Sequence, residues 1–153
     1  MDAYNGLGWS YAKLMVLDSS IDNFITGLSK PQDKWNPTDI HSEILAGLTF
    51  AYHAKGIDKK TIEYGRAFLD STVRPLKAGW VFAHDSLLNY LDVRITLAAS
   101  YFSVGKFDSA SLNVQIVLDS LNSSVIAVSD TSLEGRKKMA EQISALQTSL
   151  LKQ

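Results

Sequence analysis

One pattern of small and aromatic residues recurs three times in this chain, at fixed offsets across two helix-sized segments. The clearest copy, residues 2–28, reads DAYNGLGWSYAKLMVLDSSIDNFITGL. A second, residues 43–69, contains LAGLTFAYHAKG followed by DKKTIEYGRAFL. The third, residues 92–118, reads DVRITLAASYFSVGKFDSASLNVQIVL. A single helix pair of this size cannot bury its apolar face alone, so successive pairs must stack. A stack of helix pairs offers a binding surface more readily than a catalytic cleft.

The rest of the chain reads as helix at almost every point, because apolar residues fall at helical spacing and strand-like alternation is scarce. The first helix is predicted over about 3–14, burying Tyr4, Leu7, Gly8 and Tyr11. Asp18 is placed as the cap of a second helix with Ile21, Phe24, Ile25 and Leu28 on one stripe. The loop SKPQDKWNPTD follows, with Asn36 as a cap and Pro37 at a first helical position. A third helix is expected to run to about Lys55 and close at Gly56, which tolerates a left-handed backbone. Asp58 caps a fourth, reaching about Ser71. The segment TVRPLKAGWVFAH, with Pro75 and Gly79, interrupts the pattern. Asp85 is placed as the cap of a long fifth helix closed by Gly105, and Asp108 as the cap of the sixth. Thr131 with Glu134 has the form of a capping box for a last helix that carries Met139, Ile143, Leu146 and Leu150.

At these residues the pattern resembles the tetratricopeptide repeat, a helix–turn–helix unit of about 34 residues. Tyr4, Leu7, Gly8, Tyr11, Ile21, Phe24 and Leu28 stand at its packing positions in the first copy. Leu45, Leu48, Tyr52, Gly56, Ile62 and Leu69 do so in the second, and Leu97, Ala98, Tyr101, Gly105, Phe107, Ala110 and Leu118 in the third. Tyr11, Tyr52 and Tyr101 are 41 and then 49 residues apart, so the linkers are lengthened. Met15 replaces the turn glycine of copy one, and Gly65 with Phe68 reads as a size exchange against Phe24 and Gly27. The resemblance implies an all-α, tetratricopeptide-like α-α superhelix of about three helix pairs plus a C-terminal capping helix. Its repeats lie at about 2–35, 43–72 and 92–122, with an insertion at 72–90 and the capping helix at about 131–151. WVFAHD and YFSVGKFDSA are similar to segments of repeat-containing bacterial envelope lipoproteins. That likeness implies a periplasmic or outer-membrane-associated fragment whose signal and lipid-attachment cysteine lie outside this sequence; without it a cytoplasmic location is expected. The beginning of the chain inside a repeat fits a trimmed piece.

Composition narrows the function. The 153 residues carry a formal net charge of −1 with no block of one sign, so no nucleic-acid footprint is expected. No segment has the unbroken apolar length of a membrane span. MDAYNGLGW lacks a basic region followed by an apolar run, so it is not expected to be a signal peptide. Without cysteine there is no disulfide, thiolate metal site or thiol nucleophile. Gly6-Leu7-Gly8 is only a fragment of a phosphate loop, and Ser10 in GWSYA lacks the nucleophile-elbow pattern. His41, His53 and His84 show no metal-ligand spacing, and the acidic residues sit mostly at helix starts (Asp18, Asp58, Asp85, Asp108, Glu134), where they serve caps and dipoles. Neither a catalytic set, a metal nor a cofactor is expected.

In the resembled family the first helix of each pair lines a concave face. Mapping those positions gives Asn5, Trp9 and Lys13, then Ala46, Phe50 and His53, then Asp92, Ile95, Ala99 and Phe102. The family's clamp for a terminal carboxylate is not matched, since Trp9 occupies one of its asparagine positions. The leading expectation is therefore a protein-interaction module whose concave face, with Asn5, Trp9, Lys13, Phe50, His53 and Phe102, takes an apolar peptide or protein segment. Against it stands a filled groove, with Trp80 and Phe82 of the 72–84 insertion covering Trp9, Phe50 and Phe102. The rival is a structural or assembly fragment of a longer repeat protein, packed against its own repeats or against a homodimer partner through the N-terminal helix pair.

Overall fold

The computed structural model describes residues 1–31, 40–70 and 82–151; Trp35, Asn36, Pro37, Pro75, Gly79 and Trp80 lie outside them. Among the described residues there are seven helices and no strand. They are α1 (Asp2–Lys13), α2 (Leu17–Leu28), α3 (Ile40–Ala54), α4 (Asp58–Leu69), α5 (Tyr90–Ser103), α6 (Phe107–Ser120) and α7 (Leu133–Leu150). Helices α1 and α2, α3 and α4, and α5 and α6 form three hairpins. The second helix of each of the first two hairpins packs on the first helix of the next, α1, α3 and α5 touch in sequence, and α7 lies on α5 and α6. Each unit meets only its neighbours, as in a repeat stack.

The repetition is visible in single hydrogen bonds. At the three hairpin turns the amides of Val16, Ile57 and Lys106 each donate to the carbonyl of the repeated tyrosine, Tyr11, Tyr52 or Tyr101, at 2.9 Å. The residue before each of them, Met15, Gly56 or Gly105, has a left-handed backbone with φ of 58°, 70° and 76°. Together these bonds make a Schellman closure, which satisfies carbonyls the helix end leaves unpaired. Met15 thus holds a conformation that favours glycine. The next helix begins at once, because the carbonyls of Val16, Ile57 and Lys106 accept from the buried small residues Ser20, Thr61 and Ala110.

That closure corrects the expected caps. Val16, Ile57 and Lys106 are the N-cap residues, with no side-chain cap bond, and Asp18, Asp58 and Asp108 sit inside the first turn. There they face the positive end of the helix dipole. Asp85 does not cap α5 either. Asn89 does, in a capping box with Asp92, so α5 starts five residues later than Asp85. The last helix is capped by Ser132, whose hydroxyl accepts from Gly135, rather than by Thr131.

The core follows from small residues set against large ones. The Phe24 ring is fully buried between Gly8 and Gly47, where a Cβ on either glycine would overlap it. In the next pair the exchange is reversed: Gly65 leaves room for Leu97, while Phe68 is buried against Phe82 and Tyr90. Met139, Ile143, Leu146 and Leu150 of α7 are buried in one stripe. In α1 the expected face holds only at Gly8, which is buried: Tyr4 and Tyr11 are half-buried and Leu7 is 47% exposed, whereas Asn5 and Trp9 are buried. In α2, Ile25 is exposed. The reason for the rotation in α1 is that residues 82–89 cover its other flank.

Candidate interaction surface

The first helices α1, α3 and α5 share one side of the stack, and residues 82–89 run along it. Phe82 is 1% exposed and its ring centroid lies 5.7 Å from Trp9, 6.2 Å from Phe50 and 6.1 Å from Phe68. Trp9 also meets Phe24 edge-on at 5.7 Å and Phe50 at 6.3 Å. Offset and edge contacts of this kind add about 0.5–1.5 kcal/mol per pair beyond area burial. The part of the face expected to be an open groove around Trp9 and Phe50 is therefore occupied by Phe82.

Beneath this aromatic cluster lies a polar one. Glu43, 3% exposed, is the hub. Its Oε2 accepts from Asn5 Nδ2 at 2.7 Å and lies 2.8 Å from His84 Nδ1, while Oε1 accepts from the Ala83 amide at 2.6 Å. His84 Nδ1 also lies 3.3 Å from Asn5 Nδ2, and its Nε2 is turned toward Gly6. Lys13 Nζ donates to the His84 carbonyl at 3.1 Å and lies 3.6 Å from Asp85 Oδ2. Asn5 and Lys13 thus act on the chain's own insertion. The Ser10 hydroxyl donates to Gly6 O rather than to a base. Among the described residues no three His, Cys, Asp or Glu side chains are grouped to hold a metal ion.

Beyond Phe82 the face remains concave. A cavity of about 260 Å³ is lined by Trp9, Met15, Leu17, Phe50, Ala54 and Leu88. A second, of about 300 Å³, shares Phe50 and Leu88 and continues to Asp92, Ile95, Thr96, Gln147 and Leu151. Burial pushes the Asp92 carboxyl up, against the lowering effect of the Asn89 amide it accepts from. His53 and Phe102 stand apart from the Phe82 cluster. The His53 Nδ1 lies 3.1 Å from the Ser100 hydroxyl, and the Phe102 ring meets Phe107 at 5.4 Å. At the N-terminal pair Leu7, Leu14, Met15, Val16 and Ile25 are exposed.

Burial holds His53 below the ordinary histidine range, and Asp58 only partly offsets it. The folded state therefore disfavours the proton that the unfolded chain accepts near its ordinary value of 6.5. Stability from this group is present above that value and is lost as pH falls through the folded-state pKa. Urea titrations across this range should show a shallower acid loss in His53→Gln than in wild type; identical slopes would remove His53 as the cause.

Asp92 falls among the mapped concave-face positions but is buried, and Glu43 is the buried residue of this face that residue patterns did not single out. A glutamate inside the apolar run IHSEILAGLTF is the available signal, since an isolated charge on a buried face needs specific partners. Compared with known proteins, the chain matches no family model, no curated protein and no solved structure.

Proposed function

We propose that the chain is a tetratricopeptide-like interaction module that holds an apolar segment of another protein along the side formed by α1, α3 and α5. The observation that carries this reading is the concave trough through Phe50 and Leu88 to Ile95 and Leu151, apolar along these residues and edged by Asp92, Thr96 and Gln147. The repeated Tyr11, Tyr52 and Tyr101 closures support the repeat assignment. Leu151 is 78% exposed and Leu88 half-buried against the core, so the trough presents apolar surface to a partner at these two side chains. Short apolar side chains of an amphipathic helix or an extended peptide fit a groove of this kind.

Peptides selected from a displayed random library on the immobilised chain test it. The Leu88→Ala, Leu151→Ala double variant should keep its melting curve and lose about 2 kcal/mol of affinity for a selected apolar peptide, roughly thirtyfold. Recovery of no apolar peptide, or equal binding by the variant, would overturn the reading.

A further inference from the structure

Residues 82–85 are held as a bound peptide is held. Phe82 fills an aromatic pocket of Trp9, Phe50 and Phe68, Ala83 points to solvent, and His84 turns back toward α1 and α3. Two of the polar contacts go to main-chain groups, the Ala83 amide to Glu43 and the His84 carbonyl to Lys13. The segment bends at Ala83 and His84 and turns back so that the Phe82 amide donates to the Leu88 carbonyl. Its two main-chain contacts recognise backbone in that bent form, while the Phe82 pocket, the Glu43–His84 contact and the Lys13–Asp85 pair recognise side chains. Glu43 strengthens the case. Burying a carboxylate is costly unless it is paired, and apart from Asn5 the partners its bonds reach all belong to this segment.

Resting on the reading of this side as a peptide-binding surface, we infer that residues 82–85 are a built-in occupant of a recognition site made by α1, α3 and α4. The site takes from a partner protein a segment that can adopt the same bend, with an aromatic residue followed three positions later by an acidic one. Glu43, held by Asn5, and Lys13 bind the incoming backbone, Lys13 also receives the acidic side chain, and Trp9, Phe50 and Phe68 enclose the ring. The tethered copy excludes the partner until it is displaced, because a linked segment acts at an effective concentration on the order of millimolar.

The probe is the capped peptide VFAHDSLL, titrated into the full chain carrying Phe82→Ala and, in parallel, into wild type. The variant should bind it saturably and at least about tenfold more tightly than wild type does. The same peptide with alanine for its phenylalanine should not bind. A folded Phe82→Ala variant that ignores the peptide overturns the inference. Hydrogen exchange in wild type decides the matter independently of that variant's folding. As an occupant, the segment must open locally, so the Ala83 amide should exchange well before the α3 amides and with little dependence on denaturant. Exchange of Ala83 only through global unfolding would make the segment core and overturn the inference. Failure of the Leu88 trough to select peptides leaves both results intact, so the two readings fall separately.

Discussion

Replacing Phe24 by alanine is expected to lower the unfolding free energy by about 3–5 kcal/mol, the range for removing a fully buried phenylalanine. The site has no slack with which to collapse. The ring lies between the backbones of α1 and α3, against Gly8 and Gly47, with Trp9 packed on its edge. Truncation would empty the junction of the first two helix pairs, where α1, α2 and α3 meet. Gly47→Ala tests the same junction from the other side. Its added methyl would overlap the ring, and overpacking of this sort costs about 1–3 kcal/mol. Combined with Phe24→Ala, however, the methyl would enter the vacated space, so the double variant should be more stable than the sum of the two losses predicts. Denaturant midpoints for the four proteins measure this. A loss under about 1 kcal/mol for Phe24→Ala would mean that the first pair is not seated on the second as described.

The repeat was legible because its signals are local. Each tyrosine, turn residue and small residue lies within one hairpin, and the Schellman closures at Met15, Gly56 and Gly105 fall where the spacing of the tyrosines puts them. The expected caps failed for an equally local reason. A tight closure of one helix supplies the first residue of the next, which leaves the aspartate one or two positions inside. The buried face of α1 was not legible. Tyr4, Leu7 and Tyr11 are the natural apolar stripe of an isolated helix, yet Asn5 and Trp9 are buried because Phe82, Ala83 and His84 arrive from more than seventy residues away. Position in a periodic pattern tells which residues can face a neighbour, and it carries no information about a distant segment that covers a second face. Phe82 was suspected as a cover for Trp9 and Phe50 because an aromatic side chain in a loop needs burial. Glu43 gave a weaker cue, its place inside an apolar run, which a helix-start role accounts for equally well.

Glu43→Ala is the second large effect, with an expected loss of about 2–4 kcal/mol arising from stranded donors rather than from lost volume. Asn5 is fully buried, so its amide hydrogens cannot turn to water when the carboxylate is removed. A buried donor left without a partner costs about 1–3 kcal/mol. The Ala83 amide loses its acceptor in the same step, nearer to solvent, while His84 Nδ1, 3.3 Å from Asn5 Nδ2, can offset part of the loss by accepting from it. Glu43→Gln separates charge from hydrogen bonding. Its carbonyl oxygen can still accept from Ala83, and the Asn5 side chain can turn over to present its Oδ1, which has no partner in wild type, to the new amide. The glutamine variant should therefore lose less than half of what the alanine variant loses. The losses should also differ in place. In Glu43→Ala the Ala83 amide should lose protection while amides of α5 and α6 exchange as in a uniformly destabilised protein, because the hub ties residues 82–84 to α1 and α3 alone. Equal losses in the two variants would mean that the charge of Glu43, rather than its acceptors, holds the segment down.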